Sequence, residues 1–263
     1  MNIRGLAPLR HPGFRLLVCG QIASNVGDAL YAVALPWYVL AVHGEALQLG
    51  EVLAAYGIAR TAALAFGGHV SDRLQPWTAM MGADVTRAIA LVALTLLSAA
   101  GPARFGLLIP IAVIVGAGEG IFLPGSFAIV PALLPDEDLQ AGNALSSGGT
   151  QLAMLVGPAL GGVVVALAGT APAFGVDALS FVVSAVSLVA VRAAPHLGRQ
   201  PLATEHDEAQ PMPTLRRIIT TERIVLLIFV INVVANLGSG GMEEVALPAL
   251  AHGSFHAGAT GYG

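Results

Sequence analysis

A chain of 263 residues that is 56% hydrophobic and 11% charged, with mean hydropathy +0.77, holds more apolar surface than a water-soluble fold can hide; soluble domains are about 25% charged. The formal net charge of −4 at pH 7 says little about partners, because position matters more than sum, and no nucleic-acid partner is expected. Cys19 is the single cysteine, which excludes an intrachain disulfide and a cysteine metal site.

What remains is an all-α membrane protein, because apolar runs of about 20 residues recur along the chain. An arm, Met1 to Arg15, carries Arg4, Arg10 and Arg15. The first span, Phe14 to about Leu40, is longer than a cleaved signal and leads into further spans. A loop with His43, Gly44 and Glu45 follows. The second span covers Leu49 to Phe66 and continues as helix to about Val70; the third covers Thr78 to Ala99, and the fourth Phe105 to about Val130. The loop Pro131 to Gln140 carries Asp136, Glu137 and Asp138. The fifth span is roughly Asn143 to Leu167 and the sixth Ala173 to Val191. Then comes a polar stretch, Ala194 to Thr214, with four prolines and the acidic run Glu205-His206-Asp207-Glu208. Thr214 to Thr221 reads as a short amphipathic piece on the membrane surface, and a seventh span occupies about Ile224 to Leu250.

This order divides the chain into a six-helix bundle (residues 1–193), a cytoplasmic central loop with an amphipathic segment (194–222) and the first helix of a second bundle (223–263). The arginines set the orientation. With the amino terminus cytoplasmic, the inner side holds Arg4, Arg10, Arg15, Arg73, Arg192, Arg199, Arg216, Arg217 and Arg223, and the outer loops hold only Arg104. Arg60 and Arg87 fall within spans. The seventh span restarts the pattern of the first: Asn25-Val26-Gly27, Val33-Ala34-Leu35-Pro36 and His43-Gly44 are echoed by Asn236-Leu237-Gly238, Val245-Ala246-Leu247-Pro248 and His252-Gly253. Tandem six-helix repeats are a transporter architecture. The chain then reads as one repeat plus the opening of another, a truncated whole.

Polar residues inside the spans are the candidates for chemistry, since an acid at mid-membrane costs about 2.5–3.5 kcal/mol or more unless hydrated, protonated or paired. In the first span Gln21, Ser24, Asn25 and Asp28 share one helical face. Such a stripe either bonds helices together or lines an aqueous cavity, with Asp28 as a proton or substrate site. The seventh span offers a matching stripe with Asn232, Asn236, Ser239 and Glu243. Glu119, among the glycines of the fourth span, is either a second protonatable site or an acid paired with Arg60 or Arg87. Asp84 and Arg87, three apart in the third span, are expected to form a local ion pair. Asp177, near the start of the sixth, is expected to complement that helix's dipole. Gly157 and Gly161 give the fifth span a small-xxx-small packing face, with Pro158 loosening the helix beside it.

Between the second and third spans, Gly67-Gly68-His69-Val70-Ser71-Asp72-Arg73-Leu74 packs glycines, a hydroxyl, an acid and a base into what reads as one tight turn. The pattern of Gly68, Ser71, Asp72 and Arg73 resembles the signature loop between helices 2 and 3 of the major facilitator superfamily. Gly157-Pro158-Ala159-Leu160-Gly161-Gly162 is similar to the helix 5 antiporter motif of that superfamily's drug exporters. Gly27-Asp28 with Leu35-Pro36-Trp37, Asp84 through Arg87-Ala88, and Asp177-Ala178-Leu179-Ser180-Phe181 resemble the subgroup holding macrolide-efflux proteins and the enterobactin exporter.

The resemblance covers essentially the whole chain. It implies a six-helix amino-terminal bundle plus the first helix of a second, the rest of that second bundle being a missing partner. It also implies alternating access driven by protons, a multi-pass location in a bacterial inner membrane, and no cofactor or metal. Gly68, Asp72, Arg73, Asp84, Arg87, Gly157, Pro158, Gly161 and Gly162 would form the gating machinery, with the helix 5 motif sealing the cavity and acting as a pivot. The expected activity is proton-coupled export of amphipathic small molecules of drug, macrolide or siderophore type. A uniporter or importer on the same fold, and a non-transporting membrane fragment or scaffold, are the alternatives. Two departures weaken the match. Leu74-Gln75-Pro76-Trp77-Thr78 lacks the glycine and basic cluster that usually follow Asp-Arg, and the acidic loop Asp136 to Asp138 gives no positive-inside signal. No enzyme is expected: Ser126, Ser146, Ser147 and His69 sit in no Gly-x-Ser-x-Gly elbow or His-Glu-x-x-His pair.

Overall fold

A computed structural model describes residues 3–193, 227, 231 and 245–253; the side chains of residues 3–5, 68–74, 193 and 252–253 fall outside it. The described residues form seven α-helices and no strand: α1 (Pro12–His43), α2 (Ala46–Leu74), α3 (Pro76–Ala100), α4 (Phe105–Ala128), α5 (Asp136–Ala168), α6 (Thr170–Ala193) and α7 (Leu247–Gly253). The first six are long and apolar enough to cross a membrane. The all-α six-span architecture is therefore as expected. Most of the expected seventh span, the stripe Asn232, Asn236 and Glu243, and the segment Thr214 to Thr221 lie outside the described residues. The described end of that span continues past Leu250 to Gly253.

Local chemistry explains where the helices stop. α1 opens on Pro12 and closes on Gly44, whose left-handed backbone (φ 75°) lets its N–H reach the Leu40 carbonyl at 2.9 Å. The segment Gly67–Leu74 is not a turn but the last turns of α2. The chain reverses at Gln75 alone, held at φ 67° and ψ 137°. Pro76 is the cause: it excludes the residue before it from helical geometry and is itself suited to a helix start. The expected acidic loop is also helical. α5 begins at Asp136, so Asp136, Glu137 and Asp138 occupy its first turn and face the positive end of the dipole.

Close approach through small residues fixes the packing. α2 lies against α4, α1 against both α6 and α5, and α3 against α6 and α4. A β-carbon on Gly116 or Gly120 of α4 would strike the main-chain carbonyls of Tyr56 and Arg60 on α2. On α5, one on Gly157 would meet Ala29 and one on Gly161 would sit 3.2 Å from Leu30 and Val33. Gly20 and Gly27 make the same allowance on α1 for Ser187 and Ser180 of α6. The packing series thus runs α5, α1, α6, α3, α4, α2, and its two ends leave a face on which α1 and α4 look out between α2 and α5.

Two apolar clusters fill the bundle. One holds Tyr31, Leu35, Tyr38, Leu49, Leu91, Leu94, Phe174 and Phe181; the other holds Phe14, Leu17, Met80, Ile129 and Leu188. Along α1 and α3 the polar residues fall where one cluster gives way to the other, whereas Asp177 and Ser180 of α6 lie within the first. Large side chains such as Ile58, Phe66, Leu155 and Leu167 point outward, as lipid contact requires.

Gly120→Val tests the packing account. Overpacking a close contact costs about 1–3 kcal/mol, so the variant is expected to unfold at lower temperature in detergent, whereas Gly82→Val, with open space around it, is expected to behave as wild type. Equal stability of both variants would refute the close-approach account.

Candidate functional site

The polar stripe of α1 is held by its neighbours. Ser24 is buried against α6, while Gln21, Asn25 and Asp28 are half-buried on the open side. The Asn25 amide donates to the Thr150 hydroxyl of α5 at 3.0 Å, and Thr150 donates in turn to the Ser146 carbonyl at 3.2 Å. Asp28 accepts from Arg87 of α3, with Nη2 to Oδ1 at 2.5 Å. Asp28 is therefore one half of an ion pair.

Three features bring Arg87 to that position. Its side chain runs across Gly118 of α4, where an added β-carbon would come within 2.5 Å of its Cγ. Phe181 of α6 lies under the guanidinium, 3.8 Å from ring centroid to Cζ. The side chain is 2% exposed against 33% for Asp28, so the cation is sheltered and the acid faces the open side. The expected local pair of Asp84 with Arg87 is not the one formed: Arg87 reaches across to α1, and Asp84, wholly buried, turns towards α6.

A second charged group stands on α2 and α4. Arg60 Nε lies 2.9 Å from Glu119 Oε1, and the Tyr56 hydroxyl donates to the other carboxylate oxygen. Of the two readings of Glu119, the structure adopts the ion pair, with Arg60 as partner. The Tyr56 ring stands 6.5 Å from that of Tyr31, whose other neighbour is Phe174 at 6.1 Å. The half-buried acids Asp28 of α1 and Glu119 of α4 thus each hold an arginine, Arg87 of α3 and Arg60 of α2, with the buried Tyr31 ring between Tyr56 and Phe174.

The remaining candidates divide. Gly157, Pro158, Gly161 and Gly162 lie on α5; the three glycines are buried, Gly157 and Gly161 in the contact with α1. Gly68, Asp72 and Arg73 lie in the final turns of α2, where the side chains are not described. Asp177 is not in the first turn of α6, which holds no acid; it sits two turns in, wholly buried beside Gly27 and Ser180. Its role as a dipole partner is corrected accordingly. Sequence reading missed Tyr56, Thr150 and Phe181. Tyr56 was recoverable, since it stands one helical turn before Arg60, on the same face of the second span.

Residues 17–262 match the family model described as the Major Facilitator Superfamily. The chain belongs to this superfamily. It is 27% identical over 249 residues to the enterobactin exporter EntS of Citrobacter koseri, a match covering 92% of this chain and 56% of that protein. The same exporters of Shigella boydii serotype 18 and Escherichia coli O157:H7 are 26% identical with the same coverage. The chain therefore spans little more than half the length of these curated relatives. The resemblance to the superfamily read from the short motifs is borne out: this is a multi-pass membrane protein of the Major Facilitator Superfamily, similar in sequence to enterobactin exporters. Membership of a transporter superfamily agrees with the expectation that the chain is not an enzyme.

Arg87→Met should reveal the weight of the inner pair. Removing one partner of a buried pair costs about 3–5 kcal/mol, and the partial exposure of Asp28 puts the loss near the lower figure. Combined with Asp28→Asn, the loss should be much less than the sum of the two single effects, measured as a double-mutant cycle of thermal unfolding in detergent. Simple additivity would mean that the two side chains do not interact.

Proposed function

We propose that this chain supplies the amino-terminal half of a secondary active exporter of amphipathic small molecules, of the siderophore or drug type, working by proton-coupled alternating access. The observation that carries the reading is the position of the two ion pairs. Asp28–Arg87 and Glu119–Arg60 sit on or beside α1 and α4, the helices that look out from the open face, where a second bundle would stand. That the curated relatives are exporters of enterobactin supports an organic cargo.

In this reading residues 1–193 form the first bundle, 194–222 a cytoplasmic loop, and 223–263 the start of the second bundle, with both ends of the first bundle's chain on the inner side of a bacterial inner membrane. Gln21, Asn25, Asp28 and Glu119 face the cavity from this half, and Asn232, Asn236 and Glu243 from the other. A proton taken up by Asp28 removes the charge that holds Arg87 and frees α1 from α3. The step is coupled because an unpaired guanidinium in an apolar bundle is too costly to persist. The seam between α5 and α1, at Gly157, Pro158, Gly161 and Gly162, then serves as the surface on which α1 shifts. The Gly68, Asp72 and Arg73 end of α2 engages the inner side of the partner bundle in one of the two states.

In the full-length transporter, Asp28→Asn is expected to abolish proton-driven efflux while leaving expression intact; unchanged transport would remove Asp28 from the mechanism. Orientation is tested in a Cys19→Ser background. A thiol introduced by Glu45→Cys should react with an impermeant maleimide in intact cells, and one introduced by Glu205→Cys only after permeabilisation; the reverse pattern would invert the topology.

A further inference from the structure

The Arg87–Asp28 pair uses only one of three carboxyl groups gathered around one guanidinium. Asp84, one turn before Arg87 on α3, and Asp177 on α6 are both wholly buried. Neither oxygen of Asp84 has a hydrogen-bond partner, and the Ser184 hydroxyl of α6 is the polar group that faces it. Oδ2 of Asp177 is likewise without a partner, while Oδ1 lies 3.3 Å from a Ser180 hydroxyl already bonded at 2.7 Å to the Asp177 carbonyl. The charged groups facing both acids are Arg87 and Asp28. Glu119 of α4 also acts on Arg87, but it has its own counter-ion in Arg60, the other guanidinium nearby, at 2.9 Å.

The charges therefore do not balance if all three acids are ionised. Arg87 is committed to Asp28 at 2.5 Å, and its ring-facing side is closed by Phe181 at 3.8 Å. An unpaired carboxylate with bare oxygens, buried among helices that are themselves in lipid, is more costly than the neutral acid.

We propose that Asp84 and Asp177 are proton-bearing neutral acids, forming a buried proton site on the α3–α6 side of the bundle, and that Arg87 exchanges Asp28 for one of them. The exchange conserves charge. As the guanidinium turns from Asp28, the acid that receives it gives up its proton, and Asp28, now without a counter-ion, takes one up. One proton thereby passes between the closed side of the bundle and the open face, with no net change in the cluster. The exchange rests on the transport reading above; the protonation of the two acids does not.

Infrared spectroscopy of the whole protein in lipid nanodiscs at neutral pH tests both parts. Wild type is expected to show two carbonyl bands of protonated aspartate that shift in heavy water, one lost in Asp84→Asn and the other in Asp177→Asn. Asp28→Asn is expected to remove one of the same two bands, although neither acid has been altered, because Arg87 turns to an acid that then ionises. If either asparagine variant removes carboxylate absorption instead, that acid is ionised and the proton site is refuted. Persistence of both bands in Asp28→Asn refutes the exchange. Should a variant fail to fold, wild type carrying carbon-13 aspartate decides alone, since absence of any protonated-aspartate band overturns the proposal. Bands as expected in a protein that moves no cargo would overturn the transport reading and leave the proton site standing.

Discussion

An arginine that cannot leave the interior of a lipid-embedded bundle constrains everything around it. A guanidinium in such surroundings needs a counter-charge, a flat apolar surface to lie on and a gap wide enough for its stem. Asp28 supplies the first, Phe181 the second and Gly118 the third. They come from α1, α6 and α4, so one residue of α3 ties four helices together. The resulting contact is specific in a way that apolar packing is not, since lipid competes equally well for leucine and valine but offers nothing to a buried cation.

Small residues make that arrangement geometrically attainable. Along α4, Gly116 and Gly120 bring the α2 backbone close while Gly118, between them, faces α3. The same helix therefore seats α2 on one side and the Arg87 stem on the other. Along α1, Gly20 and Gly27 admit the serines of α6, and the stripe of Gln21, Asn25 and Asp28 is left turned to the remaining side. Polar residues and glycines on one helix thus divide the labour: the bare backbone makes the seam, and the side chains at the next positions are presented away from it.

Much of this was legible in the chain itself. Six apolar runs of spanning length, the motif at Gly68 to Arg73 and the order of the shorter motifs point to the superfamily and the all-α bundle, because membrane insertion leaves few options for an apolar chain. Partners were harder to read. Asp84 and Arg87 have the spacing of a local pair, yet Arg87 reaches Asp28, since the choice depends on which helix stands across the gap. Asp177 looked like a helix-start acid because the onset of α6 was placed at Ala173 instead of Thr170. Asp136 to Asp138 looked like loop because three acids break an apolar run, although at a helix start they stabilise it. Pro76 was the signal for the reversal at Gln75, and it was outweighed by the polarity of the segment before it.

The one-residue connection between α2 and α3 has a mechanical consequence. Two long rods joined through Gln75 alone, with a proline locking the second rod's first residue, behave as an elbow with almost no slack. A shift of the Leu74 end of α2 therefore carries the Pro76 end of α3 with it. Arg87 rides on that second arm, about three turns from the joint, so displacement at the membrane surface is delivered as leverage on the buried charge.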